Sequence, residues 1–314
     1  MNSESRRYFC IGLGEVLWDL LPGGRQLGGA PANFAYHAHA LGAESLVVSR
    51  VGRDDLGRDL LERLNTLGLS TSGIAVDPVA PTGTVSVALD PSGKPAYTIH
   101  LDVAWDFLEA GPEGLRAAAG ADAVCFGTLA QRHPVARESI RRVLQATRAD
   151  ALRIFDINLR QRFWSREVII ESLALATVLK LNDEELPILA DLLGWPGDDD
   201  QGLLERLAQR FDLRAVALTR GARGSLLWTA GRTWSWPGSD LKVADTVGAG
   251  DSYTAALALG LLSGKAPEDI LCIAHRVADF VCTQSGATPP MPADFADEFV
   301  GARRTGGDSS GNRI

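Results

Sequence analysis

The stretch Ala244 to Gly264, ADTVGAGDSYTAALALGLLSG, holds the residues best suited to chemistry. Gly248, Ala249 and Gly250 are small enough for a ligand to approach the backbone closely. The following run, Tyr253 to Leu262, reads as a helix, so free N–H groups point into the loop and make an anion hole. Asp251 stands directly after the glycines, where the positive end of the helix dipole would favour an anionic ligand. Either it caps the helix, for which Asp is well suited, or it belongs to a ligand site built on the loop. The stretch alone leaves both open.

Polar residues elsewhere fall just beyond apolar, strand-like runs. FDINLR places Asp156, Asn158 and Arg160 there, KLNDEE places Asn182 and Glu185, and LTRGARGS places Thr219, Arg220 and Gly221. In a doubly wound sheet the C-terminal ends of strands line the ligand crevice. Any one of these could be an Asx-turn or an N-cap; three with a glycine-rich anion loop downstream favour a phosphate-handling cleft. A second cluster, LGGAPANFAYHAHALG, pairs Gly28 and Gly29 with Asn33 in the first turn of a helix opened by Pro31, where its amide can face a bound polyol. Asp19, after the apolar EVLW, is placed to accept from two sugar hydroxyls. Taken alone, Asn33 and Asp19 also read as a cap and a surface acid.

Three familiar signals fail. GLGEVL at Gly12 has two glycines of a dinucleotide fingerprint but Leu17 in place of the third; GLLSGKA at Gly260 is too short for a P-loop; GDSSG at Gly307 has no strand before it. The histidines form no metal motif, since His37 and His39 point to different faces of their helix.

These residues need a scaffold. Short apolar runs at 45, 123, 152, 177 and 215 alternate with helical periodicity, as in Asp54 to Leu67, which stops at Gly68. That predicts a doubly wound α/β fold, a mostly parallel sheet with helices on both faces. Thr82 to His100 alternates around a Pro-Ser-Gly-Lys turn and reads as a hairpin with no helix following. With Leu17 to Leu27 it predicts a small β lid from approximately 15–30 and 82–103, inserted in a single domain over 1–302. The Gly/Ser/Arg-rich residues 303–314 are expected to be disordered.

With 46% hydrophobic and 22% charged residues and a net charge of −8, the chain is an ordinary globular protein for which nucleic acid and anionic membrane are poor partners. A small molecule fits better. The longest apolar run near the C-terminal helix falls far short of the roughly 20 residues of a membrane span. Four scattered cysteines without C-x-x-C pairing suit the reducing cytoplasm.

GGAPANFAYHAHALG, with Gly52 at its later spacing, and DTVGAGDSYTAALA, with FDINLR and KLNDEE between them, resemble the ribokinase-like (PfkB) carbohydrate kinases over roughly residues 8 to 300. GEVLWDLLPGG and FGTLAQR look most like the bacterial fructokinase branch. The resemblance implies an ATP- and Mg²⁺-dependent sugar kinase with Asp251 as catalytic base and the amides of Gly248, Ala249 and Gly250 holding the transferring phosphoryl group. It puts Asp19, Gly28, Gly29, Asn33 and Arg160 near the sugar. Asn182 and Glu185 match an N-x-x-E motif for phosphate and, through water, Mg²⁺. Thr219 and Gly221 match the nucleotide loop, and Thr283 to Pro289 the segment beside the adenine. Asp245 and Val247 match positions tied through carbonyls to a K⁺-like ion in many members. His275 departs from the family, standing where relatives usually carry Asn beside the nucleotide.

The expected substrate is fructose, with ribose, 2-dehydro-3-deoxygluconate and nucleosides as alternatives. Rivals of other classes are a catalytically silent sugar or nucleotide sensor and an NAD-linked sugar dehydrogenase. A lid edge strand could also pair with a second copy in a homodimer.

Overall fold

The computed structural model describes residues 7–21, 23–89, 95–195 and 197–299. The first apolar run is β1 (Phe9–Leu13), and the chain behind it folds back as β2 (Leu17–Leu21) and β3 (Gly24–Gly28). Gly29, at φ 108°, turns it into α1 (Ala30–Ala40), where Pro31 costs no hydrogen bond because first-turn N–H groups have no intrahelical partner. After β4 (Glu44–Gly52), Asp54 caps α2 (Asp55–Thr66) by accepting from Gly57 N, and β5 (Ile74–Asp77) follows. β6 (Thr84–Leu89) and β7 (Pro95–Ile99) then pair antiparallel.

From α3 (Pro112–Gly120) helices and strands alternate through β8 (Ala123–Phe126), α4 (Pro134–Gln145), β9 (Leu152–Asp156) and α5 (Arg166–Leu175). They continue through β10 (Val178–Asn182), α6 (Glu185–Leu193), α7 (Asp200–Phe211) and β11 (Ala215–Thr219). The last described elements are β12 (Ser225–Thr229), β13 (Arg232–Trp236), α8 (Ala249–Leu262), α9 (Pro267–Cys282) and the short α10 (Asp294–Asp297).

The large sheet runs β13-β12-β11-β10-β9-β8-β1-β4-β5, parallel except for the antiparallel hairpin β12-β13 at one edge. Its strands are apolar on both faces because side chains alternate and helices cover both sides. In β8, Val124 and Phe126 join the core under α4 and α5, while Ala123 and Cys125 join the core under α1, α8 and α9. Phe126 and Phe155 are fully buried and stacked 5.2 Å apart, each burial being worth about 1.5–3 kcal/mol. The second sheet, β3-β2-β6-β7, is formed by the two stretches that broke the α/β rhythm. The hairpin turn between β6 and β7, Pro22 of the first turn and the tail 303–314 lie outside the described residues.

One boundary differs from expectation. α8 begins at Ala249 rather than Tyr253, because Gly248 takes a left-handed conformation (φ 81°) that starts the helix four residues earlier. Asp251 is therefore the third residue of α8, and no side chain caps the helix.

Candidate active site

The carboxyl ends of β1, β9, β10 and β11 meet the N-termini of α1 and α8 around a cavity of about 980 Å³, bordered by the small sheet. Most of the site residues expected from sequence line it: Asp19, Gly28, Gly29, Asn33 and Arg160; Asn182, Glu185, Thr219 and Gly221; Asp245, Val247 and Gly248 to Asp251; and His275. Arg220 does not; it lies 3.7 Å from Asp200.

Asp251 takes a hydrogen bond from Asn33 Nδ2 at 2.8 Å, joining the first turns of α1 and α8. Instead of capping α8, the carboxylate faces across to α1 and into the cavity. Burial raises its pKa from 3.8 to about 6, and Asp156 adds to the rise, while Asn33, Lys180 and Arg160 oppose it. Among the described residues, the N–H groups of Gly248, Gly250 and Asp251 meet no protein acceptor, whereas Ala249 N donates to Thr246 O at 3.3 Å. The cradle of free amides is thus Gly248, Gly250 and Asp251 rather than 248 to 250, because the 246–249 turn uses one of them.

Beside β2 and α1, Gly28 lies against Asp19, where a Cβ would come within 2.3 Å of Oδ2, and a Cβ on Gly29 would meet Glu15 O at 2.5 Å. Burial raises Asp19 to about 6 against the pull of Arg160. The Asn33 amide turns its nitrogen to Asp251, and its buried Oδ1 has no partner among the described residues.

On the opposite side, Glu185 accepts from Leu159 N at 2.8 Å and Asn182 N at 2.9 Å, and Asn182 Oδ1 accepts from Glu184 N and Glu185 N. The N-x-x-E segment is thereby tied to the loop after β9. His275 is buried, with Nε2 bonded to Ser225 Oγ at 2.8 Å, and burial lowers its pKa. It lines the cavity as a neutral ring whose Nε2 is already engaged. The segment 283–289 lines no part of the cavity: Gly286 N donates to Asp245, and the carbonyls of Ala287 and Pro289 meet His37 and Tyr36. Asp245 also accepts from Val247 N at 3.0 Å, so its carboxylate holds the turn before α8.

Sequence reasoning missed two charged groups, Glu15 and Lys180. Glu15 is 2% exposed, its Oε2 has no partner among the described residues, and burial raises it to about 7. Lys180 and Asp156 form a buried pair at 3.1 Å. A lysine inside the apolar strand TVLKL was the available signal, since buried lysines are rare unless paired.

Among the described residues no three His, Cys, Asp or Glu side chains gather as a metal site. No helix among the described residues is long and apolar enough to cross a membrane.

A mostly parallel sheet whose strand ends carry a carboxylate beside free helix amides suits phosphoryl transfer, and the family match makes the protein a carbohydrate kinase, a phosphotransferase acting on an alcohol group. Residues 23–294 match the family model described as pfkB family carbohydrate kinase, and the chain belongs to that family. It is 30% identical over 298 residues to a fructokinase of Klebsiella pneumoniae, covering 89% of this chain and 95% of that one. A sugar kinase of Pyrococcus horikoshii, solved in complex with ATP, superposes with a TM-score of 0.76 at 27% identity, covering 93% of this chain and all of the other. A fructokinase of Vibrio cholerae, solved with fructose, ADP and a calcium ion, shares the fold with a TM-score of 0.77 at 24% identity, over 93% and 99% of the two chains.

Proposed function

We propose that the protein transfers the γ-phosphoryl group of ATP to a hydroxyl of fructose, with Asp251 as general base. The observation that carries this reading is the Asp251 carboxylate, joined to Asn33 and facing the cavity within one turn of the free amides that open α8. Asp251 takes the proton of the sugar hydroxyl as its oxygen attacks phosphorus and the bond to the ADP oxygen breaks. The amides of Gly248, Gly250 and Asp251 carry no proton bookkeeping; they neutralise charge on the group in flight. Asp19 and the free Oδ1 of Asn33 are placed to bind and orient a polyol, and Arg160 stands beside them. Thr219 and Gly221 border the nucleotide side, with His275 supplying a packing surface. Bound with the nucleotide, Mg²⁺ would supply charge neutralisation on the phosphates; it keeps several waters, so Glu185 would hold it through water, with Asn182 beside it. The carbonyls of Asp245 and Val247 accept no hydrogen bond among the described residues, which supports them as ligands for K⁺.

The fructokinase of Klebsiella pneumoniae supports fructose as the substrate. An ADP-release assay with fructose, ribose, glucose, 2-dehydro-3-deoxygluconate and adenosine, in K⁺ and in Na⁺, tests substrate and ion together. Turnover with fructose far above the others is expected. No turnover on any of them favours a silent sensor. We place the protein in the cytoplasm and read the small sheet, with β3 and β7 at its edges, as a lid over one kinase domain. An exposed edge pairing with a second copy would give a homodimer, which a monomer mass in light scattering excludes.

A further inference from the structure

Lys180 sits in the middle of β10 between the fully buried Leu179 and Leu181, and its side chain is 8% exposed. Its ammonium has one hydrogen-bond acceptor, Asp156 Oδ1 at 3.1 Å. Thr254 Oγ1 lies 2.9 Å from both Asp156 Oδ2 and Gly250 O, and its single proton is shared between these two acceptors. A Cβ on Gly250 would stand 3.0 Å from Lys180 Nζ, so the ammonium lies against the first turn of α8. Lys180 also lines the cavity, whereas Asp156 stands behind it. Replacing a buried ion pair with apolar groups is often neutral or stabilising. Stability alone therefore gives little reason to keep a charge here.

We propose that Lys180 is a positioning residue for phosphoryl transfer: fixed by Asp156, its ammonium braces the first turn of α8 and sets its positive charge beside the Asp251 carboxylate. This rests on the reading of Asp251 as base. The charged groups facing Asp251 are Asp156 from β9, Lys180 from β10, Arg160 from the loop after β9 and Glu15 from the loop after β1. α1 supplies the neutral donor Asn33, α6 supplies Glu185, which acts on Lys180, and α9 brings His275 and Asp279 to the same cavity. Among these, Lys180 and Asp156 pull the proton affinity of Asp251 in opposite directions. A pair that served only to hold strands together would move stability and leave Asp251 untouched.

The test compares wild type, Lys180→Met, Asp156→Asn and the double variant. The Asp251 carboxyl is titrated by ¹³C NMR, its resonance assigned as the one missing from Asp251→Asn, and kcat is measured against pH with fructose and ATP. An opposite charge at close range shifts a carboxyl by about 1–3 units. Lys180→Met is expected to move the Asp251 titration and the acid limb of kcat to higher pH by about one unit, and Asp156→Asn to move both to lower pH. The double variant should return towards wild type. Unmoved titrations in the folded variants overturn the inference. If Lys180→Met does not fold, Asp156→Asn decides: a downward shift supports the inference and no shift overturns it. Titrations that move while the wild type shows no turnover, or while Asp251→Asn keeps it, sink the base assignment instead.

Discussion

Replacing Asp251 with Asn separates two readings of the same residue by sign. In the folded protein the carboxyl titrates at about 6 rather than 3.8, chiefly through burial. Below pH 3.8 both folded and unfolded chains hold the proton; between there and about 6 the unfolded chain gives it up first, so stability is lost as pH rises. Above that window the shift of about two units corresponds to roughly 3 kcal/mol. Asp251 stays partly open to the cavity, and screening brings the figure to about 1–3 kcal/mol. For 314 residues the unfolding entropy is about 0.7 kcal/mol per kelvin, so Asp251→Asn should raise Tm by roughly 2–4 °C at pH 7.5, the gain shrinking towards pH 4. The same variant should lose about two to four orders of magnitude in kcat, the scale of a lost general base, while calorimetry still detects sugar binding. A helix cap would behave oppositely, its loss costing about 0.5–2 kcal/mol. A variant that melts lower than wild type, or turns over near the wild-type rate, refutes the reasoning.

Wild-type kcat should rise with pH through about 6 as Asp251 ionises and then level, which a pH–rate profile at saturating sugar checks. Gly28→Ala pushes a methyl to 2.3 Å from Asp19 Oδ2; it should raise KM for the sugar about tenfold or more, the cost of a misplaced hydrogen bond, with a smaller change in kcat. Gly248→Ala combines φ 81° with a Cβ 2.5 Å from Ala287 O, and should cost at least about 1–2 kcal/mol in urea unfolding as well as lowering kcat. Breaking the buried Arg132–Asp106 pair with Arg132→Met should cost about 3–5 kcal/mol, read in the same unfolding experiment.

The strands and the crevice were legible because period and position carry them: a continuous apolar run such as AVCF can only be a two-face buried strand among helices, and polar residues at its carboxyl end face the ligand. The start of α8 was not legible, since Gly-Ala-Gly reads as loop until Gly248 is seen turning the chain. Nor was the bond from Asn33 to Asp251, which spans 218 residues and needs the two helix ends brought together. Thr283 to Pro289 shows the limit of a motif match: its polar atoms hold α1 and the turn before α8 rather than line the cavity.

The remaining difficulty is that a chain of net charge −8 crowds Glu15, Asp19, Asp156, Glu185 and Asp251 around a site meant for a nucleotide polyphosphate. Their placement resolves it. Glu15 and Asp19 lie on the side of α1, which the proposed function gives to the neutral hydroxyls of the sugar, and burial raises the pKa of both. Glu185 spends both oxygens on backbone amides, and Asp156 is neutralised by Lys180. That leaves Asp251, in the first turn of α8, as the carboxylate next to the free amides, with Arg160 among the positive groups acting on it. An incoming phosphate therefore meets oriented N–H dipoles and a buried ammonium before it meets uncompensated negative charge, and the acid best placed to accept a proton is the one nearest the point of transfer.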